Sequence, residues 1–259
     1  MDLTDRVAII TGAAGGIGAA TAELMAARGA ALVLGDIGVG VHDTAARIIA
    51  AGGRAEAVQR DTATEDGAAA LVARALDAFG GLHILHANAG ISGPLIPSLT
   101  TPAADFAEIL RINLIGPWLL FRAALPQLTE GASIICTASV AGLRAGAGGI
   151  PYSASKAGVI SLVQTTAQAV TGRGIRVNAV APGLIETPMT APLYEDARTR
   201  GREDRIGQLN PLRRGGQAQE IAEAVAFLAS DAAAYVNGQV LVVDGGLSSS
   251  HPFTPRWSG

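Results

Sequence analysis

Apolar residues along the chain fall into short β-branched runs separated by longer stretches of helical period. After Arg6 the run Val7-Ala-Ile-Ile-Thr11 ends in a cluster of glycines and gives way to a helical pattern over 16–28, which reads as strand, turn, helix. The alternation repeats. Strands are expected over 31–36, 55–60, 82–87, 133–138, 175–181 and 239–243, and helices over 41–51, 65–79, 104–128, 152–171 and 218–230. Largely apolar strands alternating with helices imply a parallel sheet covered on both faces. One doubly wound α/β domain spanning 1–250 accounts for the pattern, with a short tail at 251–259. No linker or internal repeat interrupts it.

The first strand-to-helix turn reads Thr11-Gly12-Ala-Ala-Gly-Gly16-Ile17-Gly18. Glycines there let backbone N–H groups approach a pyrophosphate, and the helix N-terminus favours its charge. At the end of the second expected strand stands Asp36, placed to accept hydrogen bonds from the adenosine ribose hydroxyls. A 2′-phosphate would meet that carboxylate. Neither Ala13 nor Ala14 is basic, and Ile37 follows the aspartate, so no cation is offered to an extra phosphate. The reading is NAD over NADP.

Further along, Pro151 suits the first turn of a helix, where its missing N–H costs nothing. Tyr152 and Lys156 then lie four apart on one helical face. Bringing a tyrosine from about 10 to near neutrality needs about 3 pKa units, or about 4 kcal/mol of differential stabilisation, and a desolvated lysine supplies much of that. Ser139 ends an apolar strand at the carboxyl edge of the sheet, where ligands bind in such folds. Asn113 lies in the middle of an expected helix, four residues before Pro117. Proline cannot return an N–H to the carbonyl of residue 113, so the helix should open there.

Composition narrows the setting. Charged residues make up 16% of the 259 and apolar ones 49%, against a usual charged share of about 25%, which points to oligomerisation. A net charge of -3, with the arginines of 198–214 interleaved with Glu195, Asp196, Glu203 and Asp204, leaves no basic footprint for nucleic acid. Cys136 is the sole cysteine, so no internal disulfide forms. The N-terminus lacks a signal-peptide pattern, and no uninterrupted apolar run reaches the roughly 18 residues of a membrane span. A soluble, cytoplasmic protein with no metal site and no membrane or nucleic-acid partner is expected.

The spacing Thr-Gly-x3-Gly-Ile-Gly, the sequence Ala87-Asn88-Ala89-Gly90, Ser139 thirteen residues before Tyr-x3-Lys, Pro182-Gly183 and the ending Gly238-Gln-Val-Leu-Val-Val-Asp-Gly-Gly246 together resemble the short-chain dehydrogenase/reductase family. The resemblance spans 5 to about 246. It implies a Rossmann-type fold with a seven-stranded parallel sheet, a homotetramer, and hydride transfer between NAD(H) and a secondary alcohol or ketone. It implies Tyr152 as general acid/base, and Lys156 as holder of the nicotinamide ribose and depressor of the tyrosine pKa, aided by the positive nicotinamide. Ser139 would bind the substrate oxygen, and Asn113 would complete a proton relay through its freed carbonyl. Asp61 and Thr62 would contact the adenine, and Asn88, Ala89 and Gly90 the ribose. Pro182, Gly183, Ile185 and Thr187 would meet the nicotinamide. Two positions depart from the family pattern, Ala87 in place of an asparagine and His86 before it, and His86 is read as structural.

On the substrate side, 188–214 lacks a strong period and suits a lid. The small residues around Ala145 leave room, while Leu95, Ile150, Leu184, Met189 and Leu193 would make the pocket apolar. A hydrophobic, cyclic, aromatic or steroid-like alcohol or ketone is the expected substrate. A 3-oxoacyl-thioester reductase and a catalytically silent NAD-binding scaffold are the alternatives.

Overall fold

The computed structural model describes residues 1–93 and 99–250; Leu95 and the 251–259 tail lie outside the described residues. The chain alternates β1 (Val7–Thr11), α1 (Gly16–Ala27), β2 (Ala31–Asp36), α2 (Gly40–Ala50), β3 (Arg54–Gln59), α3 (Glu65–Phe79) and β4 (Ile84–Ala87). Then come α4 (Ala103–Leu110), α5 (Gly116–Ala124), β5 (Ser133–Thr137), α6 (Ile150–Ala169) and β6 (Arg176–Pro182). A short pair, β7 (Ile185–Glu186) and β8 (Gly216–Gln217), brackets α7 (Ala191–Thr199), and α8 (Ala218–Ala229) and β9 (Val240–Val243) close the fold.

Seven strands form one parallel sheet in the order β3-β2-β1-β4-β5-β6-β9. Pleating sends alternate residues to opposite faces, so Val7 and Ile9 join a layer with Leu71, Phe121, Val159 and Val163, while Ala8 and Ile10 join one with Met25, Ile48, Ile221 and Val225. This two-sided burial is why the central strands β1, β4 and β5 read as largely apolar runs, while the edge strand β3 is polar and only partly buried. The strand order reverses between β1 and β4. At that switch point the carboxyl ends diverge and leave a crevice, and the residues that follow β1, β4, β5 and β6 frame it.

One expectation is met and one is corrected. The stretch 104–128 opens in its middle, as Pro117 requires: between α4 and α5 lies a π turn over Arg111–Ile115, where the Gly116 N–H bonds the Arg111 carbonyl. Pro117 removes the donor that an α register would aim at Asn113 and a π register at Ile112. The combined helix Ala103–Gln127 has the length and mean hydropathy (1.2) of a membrane span, yet Ile109, Leu120, Phe121 and Ala124 are buried within this fold. The correction is that 188–214 contains a regular helix, α7. Its charges pair locally, Arg198 with Glu186 at 2.8 Å and Arg200 with Asp196 at 2.8 Å, so a solvated charged face hid the period.

Candidate active site

At the end of β1, Gly12 has φ +67, and a Cβ there would stand 2.9 Å from both Ala89 Cα and Asn88 Nδ2. Only glycine fits this turn. The α1 N-cap, Gly15, supplies no side-chain cap, so the first-turn N–H groups are left for another acceptor. Gly18 serves closure: a Cβ there would lie 2.0 Å from the Gly12 carbonyl oxygen. Asp36, at the end of β2, accepts from the Ala14 N–H (3.0 Å) and the Gly38 N–H (2.8 Å). A glycine backbone with open donors beside an anchored carboxylate fits a dinucleotide.

A cleft of about 380 Å³ runs from this loop across the carboxyl edge of the sheet. Its walls include Gly12, Gly16, Ile17, Asp36, Asn88, Ala89, Gly90, Ser139, Tyr152, Lys156, Pro182, Gly183, Ile185, Thr187 and Met189, so most of the expected site residues meet in one place. Asn88 and Ala89 donate their N–H groups to Thr11 Oγ1 at 3.0 Å each, tying the end of β4 to the end of β1.

Ser139 sits two residues beyond β5 in extended backbone and accepts from the Ala141 N–H at 3.1 Å. Pro151 occupies the first turn of α6 and places Tyr152 just inside it. Burial pushes the Tyr152 phenol above its ordinary value, and a hydrogen bond with Ser139 lowers it in part. Lys156 is not among the groups that shift the phenol in the cofactor-free protein. The lysine Nζ donates instead to the Thr137 carbonyl at 2.7 Å and lies 5.7 Å from the tyrosine ring centroid. Burial in turn brings Lys156 down to about 8.

Asn113 stands behind the cleft. Its Oδ1 accepts from the Ile91 N–H (2.9 Å), and its Nδ2 donates to the Ile91 carbonyl (2.9 Å) and to Ser155 Oγ (3.0 Å). A Cβ on Gly90 would lie 3.1 Å from Asn113 Oδ1 and 3.5 Å from Lys156 Nζ, so a missing side chain at residue 90 lets the two approach each other.

Several expected residues lie elsewhere, for identifiable reasons. Ile37 is 71% exposed and outside the cleft. Asp61 is held by Arg111 (3.0 Å) and the Ala63 N–H (2.9 Å), and Thr62 is buried beneath the loop beside Thr11 and Ala87. Leu184 sits at the bend between β6 and β7 and lines a separate small cavity with Asn210, Leu212 and Arg214, not the cleft. Ile150, 38% exposed, is two residues from Tyr152, a rotation of roughly 200° on a helix, which turns it outward. Leu193 is 41% exposed on α7. Ala145 lies on an exposed loop next to Arg144, whose guanidinium donates to the Leu247 carbonyl.

The cleft also uses Ala14, Gly15, Thr137, Ala138, Pro188 and Thr190, which the sequence reading did not single out. Thr137 was within reach of it, since it precedes Ser139 by two and shares its side of the extended chain.

A parallel sheet with a glycine cradle at its switch point, facing a serine, a tyrosine and a lysine, defines a dinucleotide-dependent oxidoreductase fold. Residues 12–248 match the family model described as enoyl-(acyl carrier protein) reductase, and the chain belongs to the short-chain dehydrogenase/reductases. It is 44% identical over 247 residues to the cis-4-hydroxycyclohexanecarboxylate dehydrogenase of Sinomonas cyclohexanicum, covering 95% of this chain and 97% of that one. To the 3-oxoacyl-[acyl-carrier-protein] reductase of Thermotoga maritima it is 38% identical, covering 95% and 99%. Its fold matches the crystal structure of levodione reductase with a TM-score of 0.90 at 37% identity, over 96% of this chain and all of that one. The protein is an alcohol dehydrogenase/ketoreductase that works with a nicotinamide cofactor.

Proposed function

We propose that this enzyme interconverts a cyclic secondary alcohol and its ketone with NAD(H), using Tyr152 as the acid/base. The observation that carries the reading is that Asp36, Ser139, Tyr152 and Lys156 line one cleft. The nicotinamide, when bound, accepts or supplies the hydride. In oxidation the Tyr152 oxygen takes the hydroxyl proton; in reduction it returns it. The Ser139 hydroxyl hydrogen-bonds the substrate oxygen, and Lys156 holds the ribose. Asn113, with the carbonyl that Pro117 leaves without an α-helical partner, continues the proton path away from Lys156. Asp36 would hold the adenosine ribose hydroxyls, and its charge opposes a 2′-phosphate. A ring substrate is supported by the similarity to a cyclohexanecarboxylate dehydrogenase and by the Pro188 and Met189 side chains at the nicotinamide end.

Residues 188–214 serve as the lid in this reading. The protein works in the cytoplasm as a homotetramer, supported by Ile115 and Trp118 exposed on the outer side of the α4–α5 helix and testable by sedimentation. The second reading, a 3-oxoacyl-thioester reductase, is favoured by the similarity to the Thermotoga reductase and opposed by Asp36. Initial rates over cyclohexanols graded in size, with and without a ring carboxylate, and over a 3-oxoacyl thioester, each with both cofactors, decide between them. The expected result is fastest turnover of a cyclic alcohol with NAD. Fastest turnover of the thioester with NADPH would overturn the proposal.

A further inference from the structure

His86 lies on β4 with Ile10 and Ile135 as its strand neighbours, and all three are fully buried. Packing alone calls for an apolar side chain here, as at Ile84 two residues earlier on the same face. Instead His86 Nε2 lies 2.9 Å from Thr137 Oγ1, and its Nδ1 has no partner among the described residues.

The direction of that bond follows from its neighbours. Asn88 Nδ2 donates to the Thr11 carbonyl (3.1 Å) and to the Gly12 carbonyl (3.3 Å), so its Oδ1 faces Thr137 and accepts the threonine hydroxyl hydrogen at 2.9 Å. A hydroxyl has one hydrogen to give. The Thr137 oxygen therefore accepts from His86, and the ring is the Nε2–H tautomer. Burial, helped by the nearby Lys156 charge, holds the imidazole down to about 3, so it stays neutral and a donor through the physiological range. The other tautomer would draw the threonine hydrogen to itself and strand Asn88 Oδ1.

We propose that His86 is a positioning residue for the cofactor: through Thr137 and Asn88 it fixes the carbonyls of Thr11 and Gly12, and with them the glycine cradle. Thr137 is the crossing point, because its hydroxyl serves the cradle while its carbonyl holds Lys156 Nζ. One buried ring thus orders the residue that links the dinucleotide loop to the acid/base helix. The inference rests on a nicotinamide dinucleotide occupying the cleft and is independent of which alcohol is oxidised.

The test is NADH affinity by fluorescence titration, read beside the melting temperature of the cofactor-free protein. His86→Leu should weaken NADH about three- to tenfold, the range expected for losing one link in a hydrogen-bonded chain. Its melting temperature should hold or rise, because an unpaired buried acceptor is gone. His86→Gln, whose amide reaches as far as the ring Nε2, should restore affinity to within about twofold. His86→Asn, too short to reach Thr137, should bind as weakly as the leucine variant, and it carries the test if the leucine variant does not fold. His86→Leu binding NADH as well as wild type would overturn the proposal, as would weakened binding that tracks lost stability and is not rescued by glutamine. Wild-type protein that binds neither NADH nor NADPH would instead sink the cofactor reading itself.

Discussion

Along the cofactor side of the cleft, shape is set by backbone; along the substrate side it is set by side chains that mostly look outward. Gly12, Gly16 and Gly18 admit no Cβ without strain or collision, and Asp36 is held by two N–H groups. On the other side, the expected pocket residues Ile150 and Leu193 face water, and Met189 alone of the described apolar candidates lines the cleft. The two sides carry different burdens. A dinucleotide is the same molecule in every enzyme that uses it, so a fixed backbone cradle suffices. Substrate choice is left to exposed segments whose side chains can change without disturbing the sheet.

The sharpest way to break this contrast is at the chemistry, where neither side can compensate. Tyr152→Phe should lower kcat by about 10³-fold or more, the scale of a lost acid/base, while NADH binding changes little; single-turnover rates check it. Ser139→Ala comes next. Because Ser139 is the group that lowers the buried Tyr152, its removal should raise that pKa further. In the oxidation direction the base form of Tyr152 is the active one, so the alkaline rise of kcat/KM should move to higher pH on a much reduced rate.

On the cofactor side, Asp36→Ala removes a charged acceptor. KM for NAD should rise about tenfold or more, while KM for NADP falls as the repulsion of a 2′-phosphate is lost. Steady-state kinetics with both cofactors measure this. On the substrate side the expected effects are smaller and unequal. Met189→Ala should change KM for the alcohol by a few-fold and leave KM for NAD alone, whereas Leu193→Ala should stay within about twofold on both. Equal effects of the two would mean that α7 closes further over the cleft than it does here.

How much the sequence disclosed follows the same divide. Strands buried on both faces announce themselves as apolar runs, and a glycine turn between strand and helix has few other uses, so the sheet, the cradle and the Ser139, Tyr152, Lys156 set were all readable. The rest depended on direction, which residue type does not carry. Leu184 and Ile150 are as apolar as Met189, but the bend between β6 and β7 and the rotation of a helix turn them away. Asp61 could be placed at the end of β3 but not seen to pair with Arg111 from a distant π turn. Pro117 did disclose that the helix opens near Asn113, because a missing N–H is a covalent fact. His86 was readable as structural. Its role emerged only when Thr137 and Asn88 were seen around it.

The central claim, direct hydride transfer between a secondary carbinol and NAD with Tyr152 managing the proton, is tested most directly by isotope. A cyclohexanol-type substrate deuterated at its carbinol carbon, oxidised with NAD, should give NADH that carries the deuterium, and Tyr152→Phe should form almost none of it. NADH that forms without the label, or undiminished transfer in the phenylalanine variant, would contradict the account.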